Sequence, residues 1–217
     1  FTYDAAGKLV KWEGYDNYYT YAYNGDKIIA RHYYDKTTNE LLYVDSIWYN
    51  TDNTIREMRF HEYDPVFMEE YFYKLHFEYQ AGRLSRTVAV EYYDFGGGLM
   101  TDTFPTSVHW NAAGNIEKLR YLDQAGVAYD SISYQYDANP NYFKVVHPHF
   151  FLLDPEFYLH VGLEANLPYF YSRNNVVDTN IYGTFDNPIS YGRDSLNQVT
   201  SVDMGGFEYF KYRYRCE

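Results

Sequence analysis

A few groups of residues have types and spacings that could do chemistry. His147-Pro148-His149, with His160 downstream, places imidazoles near one another, and imidazoles hold transition metals when three or four ligands converge. The spacing matches no HExxH-type arrangement, and Pro148 limits how the two rings turn toward one ion. Glu62 with Asp64, and Glu69 with Glu70, are the acid pairs that glycoside hydrolysis would need. Adjacent strand residues point to opposite faces, which separates Glu69 from Glu70. Glu62 and Asp64 share a face, but Asp64 precedes Pro65 and reads as a turn residue. Gly96-Gly97-Gly98 is followed by no phosphate-binding lysine and reads as a hairpin tip. Serines and histidines occur, but nothing resembles a nucleophile elbow. Cys216 has no base at an informative spacing and reads as a structural thiol near the C-terminus. The residues therefore predict no catalytic centre, no metal site and no cofactor.

The aromatic residues offer a sharper option. The chain holds 29 Tyr, 15 Phe and 3 Trp in 217 residues. Trp12, Trp48 and Trp110 fall in predicted strands. Exposed on a rigid sheet they would stack on sugar rings or pack against a partner; otherwise they fill the core. They are the candidate ligand-binding residues. The formal net charge of −12 argues against nucleic acid, whose affinity comes largely from Lys and Arg on phosphates, and against an acidic membrane surface. A single cysteine rules out an internal disulfide and a Cys-pair zinc site. No apolar run is long enough for a membrane helix.

The elements that must position these residues are hairpins. One device recurs: an aromatic residue, then Asp, Asn or Gln, then small residues, Gly, a polar residue and an aliphatic one. Clear copies are Tyr3-Asp4-Ala5-Ala6-Gly7-Lys8-Leu9, Tyr79-Gln80-Ala81-Gly82-Arg83-Leu84 and Trp110-Asn111-Ala112-Ala113-Gly114-Asn115-Ile116. A shorter copy is Tyr23-Asn24-Gly25-Asp26-Lys27-Ile28; looser ones begin at Tyr49 and Tyr191. Asx side chains bond the backbone ahead of them, and Gly supplies the positive φ of a tight turn. The irregular spacing of Tyr3, Tyr23, Tyr49, Tyr79 and Trp110 suits a meander of hairpins better than a fixed-rung solenoid. Second turns are expected at YYDKTTNELL, EYDPVF and YDFGGGLM, so each repeat is two strands of about ten residues.

Alternation fits a sheet with one wet face. Tyr71, Tyr73, Leu75, Phe77 and Tyr79 form one oily row, and Leu84, Arg86, Val88, Val90 and Tyr92 are expected to form another. Arg86 on that row, and Arg56 on the parity of Met58 and Phe60, argue against a lipid-facing barrel surface. The pattern breaks between Tyr136 and Tyr191. A Pro-rich insertion is expected over about 138–175, with a short helix started by Asp154 and Pro155. Hairpins then return, with Gly205-Gly206 as a tight turn. The expectation is one all-β domain over 1–217: long antiparallel hairpins in a meander, forming one curved sheet or partial barrel with a helical or loop insertion near 140–175.

The Tyr-Asp-x-x-Gly-x-Leu turns resemble the YD repeats of RHS-type secreted proteins. Together with LPYFYSRNNV at Leu167–Val176 and YRYRC at Tyr212–Cys216, the chain resembles a Bacteroides-type family of secreted or lipoprotein-like proteins of unknown function with a porin-like fold. The resemblance implies a cell-envelope location and a long β-meander, and it transfers no catalytic residue. The chain opens on Phe1 inside a copy of the device, so an upstream part carrying a signal peptide or lipid anchor is expected. The expected function is a non-catalytic binding module for a glycan or a surface protein. The alternatives are a YD-repeat-like structural scaffold and, behind it, a glycan-active enzyme.

Overall fold

A computed structural model describes residues 2–64, 69–94, 99–142, 167–181, 184–185, 188–196, 199–204 and 207–211. The chain divides into two compact units. The first, residues 1–107 with 122–127, contains β1 (Thr2–Tyr3), β2 (Leu9–Glu13), β3 (Asn17–Asn24), β4 (Lys27–Asp35), β5 (Leu41–Tyr49), β6 (Ile55–Asp64), β7 (Glu69–Gln80), β8 (Arg83–Asp94) and most of β9 (Leu99–Trp110). The second contains the end of β9, β10 (Ile116–Leu122) up to Tyr121, β11 (Ala128–Pro140), the helix α1 (Leu167–Tyr171), β12 (Asn174–Ile181), β13 (Thr184–Phe185), β14 (Ile189–Arg193), β15 (Val199–Met204) and β16 (Phe207–Lys211). Strand order follows sequence order from β1 to β13, and β14–β15–β16 form a separate sheet. The fold is an all-β antiparallel meander, and no pairing among the described residues closes the strand order on itself.

The recurrent device is the turn. Asp4 N–H donates to the Lys8 carbonyl at 2.8 Å, and Gly7 N–H donates to the Asp4 carbonyl at 3.0 Å. The Asp4 Oδ1 accepts the Ala6 and Lys8 amides at 2.9 and 2.8 Å. The same backbone pattern recurs at Asn50–Thr54 and Asn111–Asn115. It recurs once more at Asp123–Val127, a copy that sequence inspection missed because Leu122 stands where the aromatic residue belongs. Gly7 and Gly114 have φ of 78° and 85°; Asn53 takes the glycine position at Tyr49 with φ 72°, tolerable because Asn enters the left-handed region more readily than most residues. The looser copy at Tyr191 is corrected. Gly192 lies within β14 opposite Ser201, and Asp194 supplies the turn bond to the Leu196 amide.

In five of the hairpins the return strand skips one residue just after the turn. Tyr23 pairs Ile28 while Ala22 pairs Ala30, leaving Ile29 unpaired. The same skip leaves out Val10, Arg56, Ser85 and Thr200. An extra residue in one strand of an antiparallel pair is a β-bulge, and it turns the following side chains to the other face. Burial accordingly falls on residues three apart rather than two: Ile28 and Arg31, Ile55 and Met58, Leu84 and Thr87, Val199 and Val202. This corrects the oily row expected in β8. Leu84 is buried, but past the bulge at Ser85 the buried position is Thr87, and Arg86 lies on the opposite, charged face beside Glu78. Arg56 is the unpaired bulge residue. In β7 the expected row holds, with Leu75 and Phe77 buried and Glu78 exposed.

Successive copies interlock. The Tyr23 hydroxyl donates to the Leu9 carbonyl at 2.7 Å, and the Tyr49 hydroxyl donates to the Ile28 carbonyl at 2.8 Å. Each tyrosine thus reaches the aliphatic residue of the preceding copy. Lys8 and Lys27, next to those aliphatics, place their ammonium groups 5.5 and 5.0 Å from the Tyr23 and Tyr49 ring centres. In the first unit the buried face collects Leu9, Tyr19, Tyr21, Ile28, Ile47, Ile55, Met58, Leu75, Phe77 and Leu84, each worth roughly 1.5–3 kcal/mol for a full-sized apolar side chain.

The β5–β6 ladder runs from Tyr49 to Ser46 and stops there. Beyond it, Asp45 takes over: its Oδ1 accepts the His61 amide at 3.1 Å, and its Oδ2 accepts Arg31 Nε at 2.7 Å and Arg31 Nη2. Both side chains are almost fully buried.

The expected insertion is narrower than 138–175 at both ends. β11 continues to Pro140, and β12 begins at Asn174, within a stretch too polar to read as a strand. The α1 helix lies inside the expected range. The helix start at Pro155, the histidine cluster, Gly96–Gly98, Gly205-Gly206 and Cys216 lie outside the described residues.

Candidate functional site

The second unit builds a polar recess of about 800 Å³, within the size range of ligand sites. Its walls come from the turn Asn111–Asn115, the β11 segment Tyr134–Pro140 and the start of β12. The turn belongs to the repeated device, so its shape follows from local chemistry. What holds it against β11 and β12 is the segment Ser172–Asn175. Arg173 N–H donates to the Gly114 carbonyl at 3.2 Å, and Ile116 N–H donates to Ser172 Oγ at 2.9 Å. The Asn115 Oδ1 accepts the amides of Arg173 and Asn174, both at 2.8 Å, while its Nδ2 donates to Asn174 Oδ1 at 3.0 Å.

The floor of the recess is therefore preset. Asn115 is buried and its side-chain bonds are taken up within the protein. Asn174 Nδ2 donates to the Asn139 carbonyl at 3.0 Å. The Asp137 carboxylate accepts Asn139 N–H at 2.9 Å, Asn139 Nδ2 at 2.7 Å and Asn175 Nδ2 at 3.1 Å. The Tyr136 hydroxyl donates to the Ile116 carbonyl at 2.5 Å and lies 3.0 Å from Ser172 Oγ. Burial pushes the Tyr136 hydroxyl well above the ordinary tyrosine range, with the Ser172 bond opposing in part. This ring stays neutral at any physiological pH, held by its own hydroxyl.

The rim is different. Glu117, Gln135 and Arg173 are exposed, and among the described residues none of their side chains, nor Asn111 Nδ2, makes a hydrogen bond. The recess thus combines a rigid floor of amides, phenol and carboxylate with a rim of unused donors and acceptors. Such a set recognises a ligand by many directional bonds and pays little entropy to order its floor.

In the first unit the rings form a cross-strand row. Centroids lie 5.2 Å apart for Trp12–Tyr19, 4.8 Å for Tyr19–Tyr33, 4.4 Å for Tyr33–Tyr43, 5.6 Å for Tyr43–His61 and 4.3 Å for His61–Phe72. Aromatic neighbours on paired strands stabilise a sheet pair by pair. The Arg31 guanidinium lies 4.9 Å from the Tyr19 ring centre. Burial drives the Tyr19 and Tyr43 hydroxyls well above the ordinary tyrosine range.

The three tryptophans occupy separate settings. Trp12 is half-buried at the end of the ring row, where a Cβ on Gly14 would come within 3.1 Å of its ring. Trp48 points to the face opposite buried Ile47 and carries the Arg59 guanidinium 4.5 Å from its ring centre. Trp110 is half-buried at the end of β9, in the second unit. None of the three lines the recess. The acids considered for hydrolysis, Glu62, Asp64, Glu69 and Glu70, lie where only the backbone is described; the register sets Asp64 opposite Glu69. Sequence reading missed the recess residues. Their one signal is asparagine clustering, in NAAGN, DANPNY and SRNNV, since asparagines that bond backbone groups are what irregular buried chain requires.

Fold and recess together define an all-β repeat-hairpin protein with a polar surface site. In comparisons with known proteins, no family model and no curated protein matches the chain.

Proposed function

We propose that this protein is a non-catalytic binding module of the cell envelope that holds a glycan in the recess of its second unit. The observation that carries this reading is the lining itself: a fixed floor of Asn115, Tyr136, Asp137 and Asn174 under a rim of Asn111, Glu117, Gln135 and Arg173. Sugar hydroxyls donate and accept at once, and amides, carboxylates and guanidinium groups answer both roles in planar pairs. Asp137, the second acid of the recess, is held to Asn139 and Asn175 by three hydrogen bonds, which fixes it as part of the floor. The resemblance to Bacteroides-type secreted and lipoprotein-like proteins supports the envelope location and a lipid anchor upstream of Phe1. A second reading, a YD-repeat-like scaffold, is favoured by the Tyr-to-carbonyl interlock of successive copies.

A glycan array with the purified protein tests the first reading. At least one glycan is expected to bind. Gln135→Ala and Arg173→Ala are expected to weaken it about tenfold each, the loss of a charged or paired hydrogen bond, with the urea midpoint unchanged. Binding to no glycan, or binding indifferent to both substitutions, would sink the recess reading and leave the scaffold.

A further inference from the structure

We infer that the recess selects neutral over carboxylated glycans, and that Glu117 is the specificity-determining residue. The inference rests on the glycan-binding reading above. Three lining residues carry charge: Glu117 and Asp137 are anionic and Arg173 cationic. Asp137 accepts hydrogen bonds from the Asn139 amide, the Asn139 side chain and the Asn175 side chain, which fix its carboxylate in the floor. Glu117 lines the recess from β10, is exposed and makes no hydrogen bond among the described residues, and His109 lies within its electrostatic reach.

A neutral sugar meets this set well. Its hydroxyls donate to Glu117 and accept from Arg173, Asn111 Nδ2 and Gln135. A uronic acid brings a third carboxylate into a site with one cation. Arg173 can pair with that carboxylate only while two like charges remain nearby, and the chain as a whole carries a formal charge of −12. Like-charge contact in a half-enclosed site is a standard means of rejecting a wrong ligand. Removing the Glu117 charge while keeping its shape deletes the mobile half of that repulsion and leaves Asp137 and the floor intact.

The test uses oligosaccharide pairs of equal length and linkage that differ only in oxidation at C6: glucan with glucuronan, galactan with galacturonan, mannan with mannuronan. Titration calorimetry is run on the whole protein and on Glu117→Gln. In the pair that binds, the neutral member is expected to bind about fivefold or more tightly, and that preference is expected to shrink as salt rises from low to physiological strength. In Glu117→Gln the preference is expected to fall toward unity, with the urea midpoint unchanged because the residue is exposed. A carboxylated member that binds as well as its neutral twin, or a preference untouched by Glu117→Gln, overturns the inference while the glycan-binding reading stands. Failure of every pair, together with an empty glycan array, overturns both.

Discussion

At the scale of single residues, the tyrosines do two jobs. The ring packs on the sheet, and the hydroxyl satisfies a carbonyl that the bulge would otherwise leave short of a donor. Tyr49 is the clearest case, with its hydroxyl on the Ile28 carbonyl at 2.8 Å and Lys27 above its ring. Burial, reinforced by Tyr23, pushes the Tyr49 hydroxyl up to about 12. A tyrosine in the unfolded chain ionises near 10, so between pH of about 10 and 12 the unfolded state holds fewer protons than the folded one and stability falls as pH rises. Below that window both states hold the proton and the contribution is constant. Urea denaturation should therefore give a midpoint that drops across this alkaline range, and a shallower drop in Tyr49→Phe. At neutral pH that substitution should cost about 1 kcal/mol for the lost hydrogen bond. An alkaline slope identical in the two proteins would contradict the assignment.

At the scale of elements, the decisive feature is where a ladder stops. β5 and β6 pair only up to Ser46 and Arg59, and Asp45 continues the hydrogen bonding with its side chain. The Arg31–Asp45 pair that results is almost fully buried. Removing one partner of a buried, hydrogen-bonded charge pair costs about 3–5 kcal/mol, whereas replacing both partners with apolar residues is far milder. Asp45→Ala is expected to lower unfolding free energy by about that amount. Arg31→Met with Asp45→Leu should recover more than half, the remainder reflecting the lost bond from the His61 amide to Asp45. An Asp45→Ala protein within about 1 kcal/mol of the parent would mean that the pair is structurally idle.

At the scale of the whole molecule, every strand pairing from β1 to β9 among the described residues joins neighbours in sequence. Meander contacts close short loops, so their entropy cost is low for an all-β protein. The main refolding phase after brief unfolding in a double-jump experiment is expected in milliseconds to about a second. The 7 prolines add a slower phase of tens of seconds only after prolonged unfolding. A main phase slower than about ten seconds after brief unfolding would show that assembly waits on something other than local hairpins.

The amino-acid sequence by itself determined the hairpin turns, because their geometry needs only local groups: an Asx oxygen, a following amide and a residue that tolerates positive φ. Gly7 and Gly114 could be placed without reference to anything distant, as could the oily row of β7. Tertiary structure decided what those turns could not specify. Which face Thr87 and Arg86 take depends on a bulge at Ser85, and the bulge exists only once a partner strand is beside it. The recess likewise required Ile116 and Ser172 to meet across more than fifty intervening residues, and no local pattern encodes a bond between chain segments that fold independently toward one another. A short-range hydrogen bond can be read from residue types and spacing, but a long-range one is chosen by the packing that brings its partners together.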